Sequence, residues 1–200
     1  MNIVIVSGSN RQESESDRVG TLLSETLECM DGVTQVDHMS LSDVDLPIWT
    51  ESKWSNGEIW REKWHPISRR LRRADGLLVV CPEWGGMVPP QLKNFLMLCE
   101  DGELAHKPSM LVAISAGMGG AYVIAELRMS GYKNNKILWL PDHLIIRNVR
   151  DFSMNGSGSE SHTNLRERIT YSLRLLITYS RVCRPVRETL VVPETYLYGM

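Results

Sequence analysis

Three short apolar runs, at residues 3–6, 77–81 and 110–114, each end in a loop rich in small residues that is followed by a helical pattern. Continuous apolar runs of this length are typical of parallel strands buried on both faces of a sheet. Strands that alternate with helices form an open α/β sheet, in which ligands bind beyond the carboxyl ends of the strands. The sequence therefore predicts an α/β fold with its functional site at the three loops.

Hydrophobic spacing along the rest of the chain supplies the other elements of such a fold. Strands are predicted at residues 2–7, 34–39, 76–81, 110–115 and 143–149. Helices are predicted at residues 14–30, 57–73, 91–99, 121–131 and 163–182, with a turn around residues 141–142 and a polar surface loop over residues 152–162.

Composition limits the kind of partner that the chain can have. With 200 residues, 42% hydrophobic and 23% charged, it can bury one substantial core, so a single domain over residues 1–200 is expected. The net charge of -2 and the absence of an apolar run long enough to span a bilayer argue against nucleic acid and membrane partners. A small-molecule partner and a cytoplasmic location are expected.

The four cysteines and five histidines are scattered, without Cys-x-x-Cys or zinc-ligand spacing. Reduced, buried thiols are therefore expected, and no metal site is predicted. A Gly-x-Ser-x-Gly nucleophile elbow is also absent from the sequence, which argues against a hydrolase of that class.

The first loop, residues 7–16, has the composition of a phosphate-binding turn. Its serines and glycine stand between a buried strand and a helix, where hydroxyls, backbone N–H groups and the helix dipole can converge on one anion. Arg11 adds a guanidinium that a simple turn does not need. Ser and Gly also occur in turns that only reverse the chain and cap the next helix, so both interpretations stay open for this loop alone.

The second and third loops favour a flat ligand. Residues 82–90 combine prolines with paired glycines, which let the backbone approach a ring closely, and Trp84 can stack on one. Lys93 or Asn94 is expected to anchor this loop to the following helix. Residues 115–120 are mostly Gly, Ser and Ala and enter the next helix in the same way.

Two further segments admit more than one interpretation. The long connection over residues 40–56 leads into a region with four tryptophans, at positions 49, 54, 60 and 64, and it could be a functional lid or aromatic packing at a core edge or subunit contact. The tail after Pro185 is apolar at residues 190–193 and 196–198, and we expect it to pack on the domain or on a partner subunit.

Taken together, the three loops resemble those of the NADPH-dependent FMN reductases, a family of flavodoxin-like fold that includes quinone, azo-dye and chromate reductases. Gly8-Ser9-Asn10-Arg11 with Ser14 and Ser16 resembles the family's phosphate loop. Residues 82–89 with Leu92-Lys93-Asn94 resemble its Pro-Glu-Tyr-Asn-x-Ser-x-Pro and Leu-Lys-Asn signature, and residues 115–120 with Leu127-Arg128 resemble its Gly-Gly loop. The similarity extends from residue 3 to about residue 128.

This resemblance implies a three-layer sandwich around a five-stranded parallel sheet of order 2-1-3-4-5. It implies FMN as cofactor, NADPH or NADH as electron donor, a quinone, free flavin or similar small acceptor, and a homodimer or homotetramer. It implies no catalytic side chain, since the hydride chemistry is the flavin's own. The residues that it assigns to the phosphate are Ser9, Asn10, Arg11, Gln12, Ser14 and Ser16, and those that it assigns to the ring are Pro82, Glu83, Trp84, Gly85, Gly86, Met87, Ser115, Ala116, Gly117, Gly119 and Gly120.

The second loop departs from the family pattern. Trp84 and Gly85 stand where the family has Tyr and Asn, and Met87 stands where it has Ser, which removes two polar side chains beside the expected ring. Altered redox tuning or substrate choice is one consequence to expect. Two other functions fit the same fold, a flavodoxin-like electron carrier and a flavin-free nucleotide-binding or regulatory module.

Overall fold

A five-stranded parallel sheet forms the centre of the computed structural model, which describes residues 1–154 and 160–190 without the side chains of residues 160–162. The strands are β1 (Asn2–Ser7), β2 (Gln35–Ser40), β3 (Gly76–Pro82), β4 (Pro108–Ile114) and β5 (Leu138–Ile146). Their order is β2-β1-β3-β4-β5, and every adjacent pair is parallel. The predicted flavodoxin-like fold and strand order are confirmed.

Helices cover both faces of the sheet. They are α1 (Glu15–Glu28), α2 (His65–Arg73), α3 (Pro90–Leu98), α4 (Ala121–Met129) and α5 (Glu160–Thr189). Each face of the sheet has its own hydrophobic core, and alternate side chains of β1 belong to different cores, because successive side chains of a strand point to opposite faces. Ile3 and Ile5 pack with apolar residues of α1 and α5, whereas Val4 and Val6 pack with those of α2, α3 and α4. None of the helices in the described ranges is long and apolar enough to cross a membrane.

The predicted start of β5 at residue 143 and the turn around residues 141–142 are wrong. The strand begins at Leu138 and continues through Pro141, and its register against β4 shifts between Ser109 and Leu111. Proline is tolerated there because β5 is an edge strand. The Arg128 guanidinium donates hydrogen bonds to the carbonyl groups of residues 140–142 and so holds this irregular segment against α4.

Two predicted helices also differ. In the predicted helix 57–73, a π-helical turn, Trp60–Trp64, precedes α2. The second residue of α2 is Pro66, which has no N–H group to donate. Helix α5 begins at Glu160, inside the predicted loop, and continues through Pro185 to Thr189 instead of ending at residue 182. The apolar segments 191–193 and 196–198 of the tail lie outside the described residues.

The tryptophan-rich region packs against α3. Trp60 and Trp64 are 2% exposed and belong to the core, while the rings of Trp49 and Trp54 meet edge to face with centroids 5.6 Å apart. The Asn94 side chain accepts a hydrogen bond from the Trp49 N–H group at 2.8 Å, so it anchors this loop and not the second strand-end loop. All four thiols are free, as predicted. The prediction that all four are buried holds for Cys81 and Cys99 and is wrong for Cys29 and Cys183.

Candidate functional site

The loops that follow four strands enclose one cavity of about 300 Å³ at the carboxyl edge of the sheet. Strand order makes this possible, since β1, β3, β4 and β5 are consecutive in the sheet. The chain passes from β1 to β2 on one side and continues with β3 on the other side of β1, so the strand order reverses between β1 and β3. Ligands bind at this position in open α/β sheets. The cavity is lined by Ser9, Arg11, Glu13, Ser14, Glu15, Ser16, Pro82, Glu83, Trp84, Ile114, Ser115, Ala116, Val149 and Arg150.

Hydrogen bonds to β3 and within the turn itself fix the first loop. The Gly8 N–H group donates to the Val80 carbonyl at 2.8 Å, which extends the pairing with β3 by one residue. The buried Ser9 hydroxyl accepts the Arg11 N–H group at 3.1 Å, and the Ser14 hydroxyl caps α1 by accepting the Asp17 N–H group at 3.2 Å. Both hydroxyls therefore stabilise the turn itself, as the capping interpretation of the sequence expects.

Ser16 is different, because its hydroxyl has no protein partner. The residue is 1% exposed, and its Oγ atom makes no hydrogen bond to any described residue, although Ser16 lines the cavity. A buried hydroxyl without a partner costs about 1–3 kcal/mol. An oxygen-rich ligand such as a phosphate would remove that cost, so this loop fits an anion.

The charges around the cavity are mixed, but the acidic groups are largely engaged. Glu15 accepts from Arg18 at 2.7 Å, and Glu83 is bound by backbone N–H groups of the third loop. Neither Arg11 nor Arg150 takes part in an ion pair between side chains that the structure describes. Two guanidinium groups are thus available to an anion in this cavity.

The second loop is a tight two-residue hairpin turn. The N–H and carbonyl groups of Trp84 and Met87 pair with each other at 3.1 and 3.0 Å. The two residues between them, Gly85 and Gly86, have φ angles of 57° and 76°. This is the backbone of a type I′ turn, which glycine and asparagine adopt at low cost.

Glu83 joins the second loop to the third. Its Oε2 atom accepts the Gly120 N–H group at 2.8 Å and the Tyr122 N–H group at 3.2 Å, at the start of α4. Gly119 leaves room for this carboxylate, because a Cβ atom there would stand 2.5 Å from Glu83 Oε1 and the carboxylate would have to shift. The carboxylate thus occupies the N-terminus of α4, where a ligand anion would otherwise compete.

The third loop is held from both sides. The Ser115 hydroxyl accepts the N–H groups of Gly117 and Gly119, each at 3.2 Å. From the end of β5, the Arg147 side chain donates to the Met118 carbonyl at 2.7 Å. The loop therefore has a defined shape without a ligand.

The structure brings the predicted residues together in two groups. Those in the cavity lining are Ser9, Arg11, Ser14, Ser16, Pro82, Glu83, Trp84, Ser115 and Ala116. Those in the same loops but outside the lining are Asn10, Gln12, Gly85, Gly86, Met87, Gly117, Gly119 and Gly120.

Sequence reasoning missed five residues of the cavity lining, which are Glu13, Glu15, Ile114, Val149 and Arg150. Glu13 and Glu15 lie in the first loop and Ile114 ends β4, whereas Val149 and Arg150 lie in a fourth loop. The signal was present, because the residues after a fourth parallel strand belong at the same sheet edge, but the loop there lacks the glycines that mark the other three. No group of three His, Cys, Asp or Glu side chains suited to a metal ion occurs among the described residues.

A larger groove of about 840 Å³ lies beside α3 and α4, and Val88 of the second loop contributes to its lining. It runs between α3, α4 and the Trp49–Trp54 pair, with Leu96, Met97 and Leu127 among its apolar lining residues. Its size alone does not make it the functional site, because only one of the strand-end loops contributes to its lining, through Val88.

Comparisons with known proteins show the family of the chain. The model of the family described as NADPH-dependent FMN reductase matches residues 1–151. A quinone reductase of Pseudomonas putida is 29% identical over 125 residues, which is 60% of this chain and 63% of that enzyme, just under two thirds of its length. A quinone reductase of Escherichia coli is 27% identical over 64% of this chain and 68% of its own.

Solved structures share the fold at low identity. A flavoenzyme NAD(P)H:(acceptor) oxidoreductase from Paracoccus denitrificans has a TM-score of 0.70 at 17% identity, over 90% of this chain and 97% of that one. An oxidised flavodoxin from Bacillus cereus has a TM-score of 0.57 at 9% identity, over 89% and 98%.

Proposed function

Because the chain belongs to the NADPH-dependent FMN reductase family, we propose that it is an FMN-dependent oxidoreductase that passes electrons from NADPH or NADH to a quinone, free flavin or similar small acceptor. One observation supports this above the others. The buried Ser16 hydroxyl lacks a partner among the described residues, and it lines the same cavity as Arg11 and Trp84. The cavity thus offers anion-binding groups and an aromatic side chain to one ligand.

In this proposal, the first loop holds the phosphate of FMN. Arg11 and Ser16 contact its oxygens, Ser9 and Ser14 maintain the turn and remain within reach of the phosphate, and Asn10 and Gln12 offer backbone N–H groups. Arg150 adds positive charge from the end of β5. When bound, FMN supplies the redox chemistry, and the protein supplies binding, orientation and electrostatics.

The remaining predicted residues flank the ring. Residues 82–87 would lie on one side of it and residues 115–120 on another, joined by the Glu83 contact to α4. The replacement of the family's Asn by Gly85 is compatible with this, because both residues adopt the left-handed conformation that the turn requires. Met87 is 58% exposed, which would leave an apolar side chain beside the ring for an acceptor to contact.

Binding of FMN to the Arg11→Ala variant tests this assignment. We expect its dissociation constant to rise about tenfold or more, since a hydrogen bond to a charged group contributes roughly 1.5–3 kcal/mol. Flavin fluorescence quenching measures it, and Arg69→Ala, which removes an exposed arginine of α2, is the matched control. Wild-type affinity in Arg11→Ala would contradict the phosphate assignment.

We also propose a homodimer or homotetramer that is assembled through the larger groove. The groove carries the exposed apolar side chains of Trp54 and Met97, 66% and 54% exposed, beside largely apolar walls. Exposed apolar surface of this kind marks interaction sites. A small acceptor molecule and a second copy of the chain are the partners in this account.

A further inference from the structure

A histidine stands behind the first loop, linked to it by a serine. Ser7 is the last residue of β1 and is fully buried, and its hydroxyl donates to the Ser16 carbonyl at 3.0 Å. The same oxygen lies 2.8 Å from Nε2 of His38, on the neighbouring strand β2. A hydroxyl has one proton, and Ser16 receives it, so the His38 Nε2–H group must be the donor to Ser7.

The chain of hydrogen bonds therefore runs from His38 through Ser7 to the backbone of Ser16. Gly20 of α1 makes room for it, because a Cβ atom there would stand 2.4 Å from His38 Nε2 and 2.5 Å from Ser7 Oγ. Asp17 adds a second contact, with its Oδ1 atom 3.4 Å from the same ring nitrogen. His38 is thus connected to Ser16, which among the described residues that line the cavity is the one with an unpartnered buried hydroxyl.

Several charged groups face the His38 ring. Burial is the largest effect, and it lowers the pKa of His38 below its usual value. The carboxylates of Asp17, Asp37 and Asp43 raise this pKa, and the positive charge of Arg70 lowers it further. Arg70 holds Asp37 in a two-bond ion pair at 2.8 and 2.5 Å, so much of the Asp37 field is compensated. The net effect is a lowered pKa, so the charged form of the ring requires more acidic solution than that of an ordinary histidine.

We propose that His38 is a positioning residue for the phosphate of FMN: through Ser7 it holds the turn that carries Ser16, and its charged form strengthens anion binding at the first loop. This inference rests on the proposed function for the identity of the ligand. By linkage, an anion that binds more tightly to the charged form must raise the pKa of His38 by the corresponding amount.

Inorganic phosphate tests the link without FMN. His38 is titrated by NMR in the wild-type protein with and without saturating phosphate, and His65 of α2 is the internal control. A coupling of about fivefold, at the low end of typical site-to-site couplings, corresponds to an upward shift of about 0.7 pH unit for His38 and none for His65. A His38 midpoint that phosphate leaves unchanged overturns the inference, whether or not FMN binds.

Variants separate positioning from a merely structural role. We expect His38→Ala to weaken FMN binding about fivefold or more and to leave binding of riboflavin, which lacks the phosphate, unchanged. Equal losses for both ligands, or no loss for either, overturn the inference. Failure of the wild-type protein to bind FMN at all contradicts the proposed function instead.

His38→Gln keeps a side-chain N–H donor but cannot gain a charge. Its FMN affinity should match that of the wild type above neutral pH and fall behind it in mildly acidic solution. Ionisation of the ligand phosphate, near about pH 6, acts equally on both proteins and cancels in the comparison. A constant affinity ratio across this range overturns the electrostatic part of the inference, and His65→Gln is the matched control.

Discussion

At the scale of single residues, Gly85 shows how a departure from the family pattern can preserve structure. Its φ angle of 57° lies in the left-handed region, and a Cβ atom would meet only Met87 Cε, at 3.8 Å. Conformation therefore decides which residues are accepted there. We expect Gly85→Asn to change the free energy of unfolding by less than about 0.5 kcal/mol, and Gly85→Val to lower it by about 1–2 kcal/mol.

Urea denaturation of both Gly85 variants measures the two effects. Equal stability of Gly85→Val and Gly85→Asn would contradict the assignment of a type I′ turn, since valine is a poor left-handed residue.

The roles of individual serines were beyond sequence reasoning. Ser9, Ser14 and Ser16 fit a phosphate loop equally well by composition. The Ser9 and Ser14 hydroxyls accept backbone N–H groups, whereas the Ser16 hydroxyl, alone of these three, has no partner among the described residues. The contact of Ser7 with His38 joins residues 31 positions apart. Neither distinction leaves a local signal in the sequence.

At the scale of elements, Glu83 ties the end of β3 to the start of α4 through two N–H groups. Glu83→Ala should lower the free energy of unfolding by about 1–2 kcal/mol, as loss of a helix N-cap does. Glu25→Ala, an exposed position on α1, should change it by less than about 0.5 kcal/mol. Thermal or urea unfolding of the three proteins provides the comparison, and an unchanged stability of Glu83→Ala would show that the two loops are not joined in this way.

Four of the five predicted strands, including the edge strand β2, agree with the structure to within two residues at each end, whereas β5 differs by five residues at its start and three at its end. Residues 2–7 were placed correctly for β1, because a continuous apolar run has little alternative. The start of β5 was misplaced because proline normally marks a turn, and the tolerance of an edge strand for it depends on strand order.

At the scale of the whole molecule, the larger groove predicts a defined oligomer. Met97→Glu places a charge among apolar groove residues, which is costly in the core of an interface. We expect light scattering after gel filtration to give a dimer or tetramer for the wild type and a smaller species for Met97→Glu. Val182→Glu, at an exposed apolar position of α5, should keep the wild-type mass. A monomeric wild type would contradict the proposed assembly.

The overall arrangement of the site could be predicted because it follows from topology. Parallel strands bring their carboxyl ends to one edge, so three loops that are distant in sequence had to meet there once the sheet order was known. That order came from the resemblance and not from the strands themselves. The size of the cavity, the Glu83 contact and the groove beside α3 depend on packing between elements and could not be predicted from single segments.

The most direct test of the proposed function is a visible spectrum of the FMN-loaded protein, recorded without oxygen while NADPH or NADH is added. We expect the absorbance of oxidised flavin to disappear when the nicotinamide is added and to return when a quinone is added. FMN that binds but is reduced no faster than free FMN would instead indicate an electron carrier. A colourless protein that gains no flavin absorbance from added FMN would contradict the account outright.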